Sequence, residues 1–188
     1  MKLIILDRDG VINEDSEGFI RSPEEWLPIP GSLEAIARLA RAGYSVVVAS
    51  NQSGLARGLF DQDTLQRIHD RMQRAVAEAG GRIEAIFFCP HGPDDACECR
   101  KPKPGLFREI ALRLQADLRG VPAVGDALRD IQAAQAVGAR PILVRTGKGE
   151  ATVSRGEGLA GVEIYDDLAA ATDVLLRESG ENKNQAPA

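Results

Sequence analysis

The chain has 188 residues, 44% of them hydrophobic, enough for one domain with a substantial core and, beyond it, only small accessory loops. Its 23 Lys and Arg against 28 Asp and Glu give a net charge of -5 with both signs interspersed, which argues against a general nucleic-acid binder, whose affinity comes from clustered cations. The N-terminal stretch meets Asp7 after four apolar residues, far short of a secretory or spanning run, so the expectation is a cytoplasmic protein without a membrane partner.

In chain order, Leu3-Ile4-Ile5-Leu6 reads as a strand running into Asp7-Arg8-Asp9-Gly10. Leu33, Ile36, Ala37 and Ala40 share a helical face, followed by a strand over 44–50 that runs into Ser50-Asn51. Leu65, Ile68, Met72 and Val76 mark a second helix, in whose polar pattern His69 reads as a solvated residue. A strand over 83–88 precedes a helix carrying Leu106, Ile110 and Leu114, and a strand over 121–125 runs into Asp126. A helix with Leu128, Ile131 and Val137, a strand over 141–145, a weak strand at Val162–Tyr165 and a helix at Asp167–Arg177 follow. Strands alternating with helices predict an α/β fold, a three-layer sandwich around a mostly parallel Rossmann-like sheet. One domain over 1–178 is expected, with 179–188 a polar, flexible tail.

In such a sheet the site lies beyond the carboxyl ends of the strands, where Asp7, Ser50 and Asp126 would converge. A carboxylate can attack phosphorus, and a second one two residues on, Asp9, can protonate the leaving oxygen and then activate water. Two acids beside a phosphate require a hard divalent cation; Mg²⁺ suits carboxylates and phosphate, with Asp126 as a third group and Asp130 in support. The alternative is a turn whose acids merely cap a helix. Ser50-Asn51-Gln52-Ser53-Gly54 could hold phosphate oxygens with its hydroxyls and N–H groups, or be a plain turn.

All three cysteines and one of the two histidines fall in 89–99, as Cys89, His91, Cys97 and Cys99. A Cys3His set on one loop matches a closed, structural tetrahedral Zn²⁺ site; unligated thiols or a redox pair are the other reading. Arg100-Lys101 follows directly, a cationic pair at the mouth of the site or else a solvated basic run.

Together, Asp7-Arg8-Asp9-Gly10, Ser50-Asn51, Lys101 and Gly125-Asp126 resemble the motifs of the haloacid dehalogenase superfamily across nearly the whole chain. The zinc loop with Asn51-Gln52-Ser53-Gly54 and Cys99-Arg100-Lys101-Pro102 is similar to its D-glycero-manno-heptose 1,7-bisphosphate 7-phosphatases. The resemblance implies a haloacid dehalogenase-like fold and removal of the 7-phosphate through an aspartyl-phosphate, in nucleotide-activated heptose synthesis for lipopolysaccharide core. It implies Asp7 as nucleophile, Asp9 as acid and base, and Mg²⁺ held by Asp7, the Asp9 backbone carbonyl and Asp126. Ser50 and Lys101 would lie on the phosphoryl group, and Arg8, Asp15, Gly18, Asn51, Gln52, Ser53 and Arg100 against the sugar or its second phosphate. Two features depart from the family pattern: Ala127 follows the metal acid where a lysine reaches substrate, and Asp15-Ser16-Glu17-Gly18-Phe19 is one residue longer than a common form. Histidinol-phosphate phosphatase, or another small sugar-phosphate phosphatase, is the rival enzyme. A zinc-stabilised binding module of the same fold and a response-regulator-like receiver are the other classes, the first distinguished by loss of Asp7, Asp9 or Asp126. A monomer with a small sugar bisphosphate as its only partner is expected.

Overall fold

Apolar strands separated by amphipathic helices form the expected parallel sheet in the computed structural model, which describes residues 2–184. Strands β1 (Lys2–Leu6), β2 (Tyr44–Asn51), β3 (Ala85–Cys89), β4 (Pro122–Gly125), β5 (Arg140–Val144) and β6 (Glu163–Tyr165) pair in the order β3-β2-β1-β4-β5-β6, all parallel. The order reverses direction at β1 and β4, which are joined through Ile5 with Ala123 and Leu6 with Val124. That junction is where a crevice opens in a sheet of this kind.

Alternation along β1 assigns its side chains to two cores. Ile4 and Leu6 face a layer of α1 (Ser32–Arg41), α2 (Gln62–Glu78) and α6 (Leu168–Asn184), meeting Ile36, Ile68, Met72 and Leu175. Leu3 and Ile5 face α3 (Gly105–Leu114) and α4 (Leu128–Gln135), meeting Phe107, Ile110 and Ala133. Burial on both faces explains the unbroken apolar runs of the central strands. Among the described residues no helix is long and apolar enough to cross a membrane.

Several expectations need correction. The buried residues of α1 are Ser32, Ala35, Ile36, Ala37 and Leu39; Ile36 and Ala37 are as read, whereas Leu33 and Ala40 lie on the flanks and the Ser32 hydroxyl turns inward, donating to the Val11 carbonyl at 2.9 Å. Strand β3 starts at Ala85 rather than 83, and α4 ends before Val137. A short helix, α5 (Gly149–Arg155), was not foreseen; seven residues rich in Gly and β-branched types carry no readable period, and Thr152 pins it by donating to the Asp126 carbonyl at 3.1 Å. Helix α6 continues past Arg177 into the segment read as tail, as far as Asn184, since Glu178 pairs with Arg140 at 2.6 Å and the Ser179 hydroxyl meets that of Tyr44 at 2.8 Å. The rest of that segment, 185–188, lies outside the described residues.

His69 is also not solvated. It lies on the buried stripe of α2 with Leu65, Ile68, Met72 and Val76, its ring 5.8 Å from that of Phe88. Burial, helped by the nearby Arg8 cation, pushes its pKa down to about 4. A histidine whose folded-state pKa is depressed stabilises nothing by charging: the fold is at full strength above the unfolded value near 6.5 and loses stability as pH falls from there towards 4. His69→Leu should remove that share of acid lability, about 3 kcal/mol. Denaturant titrations of both proteins at pH 7 and pH 4 check this; an equal loss in the two would contradict a neutral, buried imidazole.

Candidate active site

The β1 backbone pairs one residue past the strand, the Asp7 N–H donating to Val124 O at 2.9 Å, and then turns sharply. The Arg8 carbonyl accepts from the N–H groups of Ile12 and Asn13 at 2.8 and 3.2 Å, so Asp7 and Asp9 sit on a tight turn and not at a helix cap. Gly10 has φ 84°, and a Cβ there would strike the Asp126 carboxylate; one at Gly125 would strike Asp130. Both glycines therefore allow three acids to pack together. Carboxylate oxygens of Asp7, Asp126 and Asp130 lie within 4.8 Å of one another, all buried.

Lys101 is the cation among them. Its Nζ is 3.0 Å from Asp7 Oδ1 and 2.6 Å from Asp130 Oδ1, and donates to the Ala49 carbonyl at 2.7 Å. Burial opposes its charge, but Asp130 and Asp7 outweigh burial and raise its pKa above the ordinary lysine value. One lysine does not balance three carboxylates. Burial, only partly countered by Lys101, lifts Asp7 to about 6, and burial with repulsion from Asp7 and Asp130 lifts Asp126 to about 7. Asp126 Oδ2 accepts from the Lys148 backbone N–H at 2.8 Å, while its buried Oδ1 has no hydrogen-bond partner among the described residues. An orphaned carboxylate oxygen beside two more carboxylates is a hard oxygen-donor set of the kind Mg²⁺ takes.

Asp9 is held differently. Arg8, fully buried, forks onto it through Nε at 2.9 Å and Nη2 at 3.0 Å, and Asn13 Nδ2 and Gln52 Nε2 donate at 2.9 and 3.1 Å. Burial pushes Asp9 up, yet Arg8 and these donors prevail and hold it below the usual carboxylate range. Asp9 in this arrangement is a base, and to deliver a proton it must leave the Arg8 fork. Gln52 Nε2 also donates to Ser50 Oγ at 2.7 Å, linking β1 to β2 across the crevice.

Asp7, Asp9, Ser50 and Gln52 border a cavity of about 360 Å³, a size for a small molecule. Asp7, Asp9, Asp15, Ser50, Asn51, Gln52, Ser53 and Arg100 all line it as expected. Arg8, Gly18 and Lys101 do not: Arg8 is sealed behind Asp9, the Gly18 carbonyl turns to accept from Arg21, and Lys101 is sunk beneath the cavity between Asp7 and Asp130. Asn51 uses both ends of its amide on the Lys101 backbone, at 3.0 Å each, which leaves it a strap for the lysine loop more than a ligand contact. Sequence reasoning missed Arg57, Arg129 and Lys148, three of the four lining cations. Lys148 follows β5, so the strand-end rule used for Asp7 and Asp126 could have found it; Arg129, three residues after Asp126, could have been found from its place in the first turn of α4.

Beside this cavity, Cys89, His91, Cys97 and Cys99 come together as expected, their ligand atoms within 4.8 Å of one another. Cys89 Sγ lies 3.1 Å from Cys99 Sγ and 3.8 Å from Cys97 Sγ, and His91 Nδ1 lies 3.2 Å from Cys99 Sγ. These gaps are too long for a disulfide and near the edge of about 3.8 Å that a tetrahedron of 2.3 Å zinc–sulfur bonds has. Burial and the contact with Cys99 push the Cys89 thiol up to about 12, a crowding of thiols that a soft divalent cation would relieve. The cluster is tied to the cavity wall: Gln52 N–H donates to Cys89 O at 2.8 Å and Arg100 Nη1 to His91 O at 3.3 Å.

The HAD-hydrolase-like family model matches residues 98–171. The D-glycero-beta-D-manno-heptose-1,7-bisphosphate 7-phosphatase of Bordetella bronchiseptica is 60% identical over 179 residues, covering 95% of this chain and all of the relative. The chain belongs to this heptose-bisphosphate phosphatase family. Its counterpart in Pseudomonas putida is 55% identical over 94% of this chain and 100% of its own length. Among solved structures, the D,D-heptose 1,7-bisphosphate phosphatase of B. bronchiseptica, complexed with magnesium and phosphate, superposes with a TM-score of 0.93 over 95% of this chain and 99% of that one. The whole or nearly the whole length of these family members is thus matched.

Proposed function

We propose that this chain is a Mg²⁺-dependent phosphatase that removes the 7-phosphate of a D-glycero-manno-heptose 1,7-bisphosphate. The observation that carries the reading is the buried Asp7, Asp126 and Asp130 cluster with Lys101 at its centre, opening into a small-molecule cavity bordered by a further guanidinium at Arg100. Full-length identity to enzymes of that name supports the substrate.

The Asp7 carboxylate attacks phosphorus, the bond from phosphorus to the sugar oxygen breaks, and Asp9, protonated and released from Arg8, delivers its proton to the departing oxygen. Asp9 then takes a proton from the water that cleaves the aspartyl-phosphate, restoring Asp7. Lys101 and Ser50 bind the transferred phosphoryl group, and Gln52 orients Ser50 and Asp9. Asp7, Asp126 and the Asp9 carbonyl would hold Mg²⁺, which when bound neutralises the phosphoryl oxygens and the crowded carboxylates. Cys89, His91, Cys97 and Cys99 would hold Zn²⁺, which fixes the loop leading to Arg100 and Lys101.

The product keeps its anomeric phosphate, the group a later nucleotidyl transfer needs, which supports a role in activated-heptose synthesis for lipopolysaccharide core. We propose a cytoplasmic monomer acting on a sugar bisphosphate alone, without a membrane partner and, given the net charge of -5, without nucleic acid.

The bisphosphate should exceed the matching 7-monophosphate in kcat/KM, and Arg100→Ala should remove much of that preference, about 2 kcal/mol for a lost charge-assisted contact. Phosphorus NMR of the product should show the 1-phosphate retained. Faster hydrolysis of histidinol phosphate, or no bisphosphate preference in the unmutated enzyme, would transfer the assignment to the rival phosphatase.

A further inference from the structure

A substrate with two phosphates needs a cation for the second that is not already committed to the first. Lys101 is buried between Asp7 and Asp130, so it serves the reacting end. Of the four lining cations, Lys148 is answered by Asp15 at 2.7 Å and Arg57 lies over the Phe19 ring, its guanidinium carbon 5.7 Å from the centroid. Arg100 has one hydrogen bond, to the His91 carbonyl at 3.3 Å.

Arg129 differs from all of these. It borders the cavity from the first turn of α4, and it is partly buried, yet it makes no ion pair and no side-chain hydrogen bond among the described residues. Its Nε is shut off from solvent without an acceptor, an arrangement that costs free energy unless a ligand supplies one. Burial opposes its charge, but Asp130, Asp7, Asp126 and Asp15 outweigh burial and keep the guanidinium charged at the cavity wall, while none of those carboxylates pairs with it among the described residues. A planar fork held in place and lacking an acceptor matches the bidentate geometry of a phosphate.

We propose that Arg129 is a specificity-determining residue that grips the distal phosphate of the bisphosphate from the α4 side of the cavity. This rests on the bisphosphatase reading above. The competing role is a field effect alone, in which Arg129 only balances the carboxylate cluster. The two differ in what they do to substrates that share a reacting phosphate.

The test compares kcat/KM for the heptose 1,7-bisphosphate and the heptose 7-phosphate in wild-type enzyme, Arg129→Ala, Arg129→Lys, Arg100→Ala and the Arg100→Ala/Arg129→Ala double variant, all with Mg²⁺. Arg129→Ala should lower the bisphosphate value roughly 30-fold and leave the monophosphate value within about twofold. Lys at this position keeps the charge without the fork and should restore only part of the preference. Two arginines on one phosphate should couple, so the double variant should lose less than the product of the single losses. Equal losses on both substrates, full rescue by Lys, or an unchanged preference in Arg129→Ala would each overturn the assignment. If the wild-type enzyme itself shows no bisphosphate preference, the bisphosphatase reading fails, which the unmutated arm reports separately.

Discussion

Asp7→Asn is expected to reduce turnover at least about a hundredfold, the low end of what a catalytic group contributes, and to leave the fold intact. An amide fills the same space but cannot attack phosphorus. The fold should survive because Lys101 keeps Asp130 at 2.6 Å and its bond to the Ala49 carbonyl. In metal-free protein the variant should melt at a higher temperature than wild type. Burial and the neighbouring Asp130 raise the Asp7 pKa to about 6, so at pH 7.5 the folded state holds an ionised group it disfavours, and that cost disappears with the charge. Activity assays with Mg²⁺ and thermal melts in chelator provide the two readouts. A variant that retains more than a hundredth of the wild-type rate would refute the nucleophile, and one that melts lower without metal would contradict the crowding of charge.

The second large effect concerns the loop over 89–99. Purified protein should carry about one Zn²⁺ per chain, and Cys97→Ser should release it, because three remaining ligands bind a structural ion far less well. The loss should extend to activity. From Pro90 to Pro104 the chain has no helix or strand, and the backbone that carries Lys101 is fastened by Asn51 on one side and by the thiol cluster upstream. A kcat/KM at least tenfold lower, together with a lower melting temperature, is expected; the lysine would wander from Asp7 once its tether slackens. Elemental analysis that finds no zinc in unstripped protein would end the idea.

Much of this was legible in the chain because the relevant signals are local. Each strand that ends on Asp7, Ser50 or Asp126 announces itself by an apolar run followed by a polar residue, and four metal-type ligands within 89–99 need no long-range information. What the sequence hides depends on neighbours brought from afar. His69 looks polar among polar residues, yet the stripe of α2 is wide enough to take it in beside Ile68, against Phe88 of β3. Arg8 reads as a charge in an active-site motif; only the fold reveals that Asp9 and Gln52 enclose it completely. The extension of α6 depends on Arg140 and Tyr44, more than thirty residues away in each case, which no window of local pattern contains. Arg129 was passed over for the same reason: its significance lies in the acceptors it lacks.

The central position of β1 has a consequence for how the chain is made. Its partner on one side, β2, begins at Tyr44, but the partner on the other, β4, begins only at Pro122. A nascent polypeptide therefore carries Lys2–Leu6 with one edge unpaired through most of its synthesis, and that edge belongs to an apolar strand of the kind that recruits other chains. Any product truncated before Pro122 retains this sticky edge and lacks Asp126, so premature termination yields an aggregation-prone fragment with no capacity for chemistry. Completion of the site and protection of its central strand arrive together from the ribosome, with the synthesis of β4 and the Asp126 that follows it.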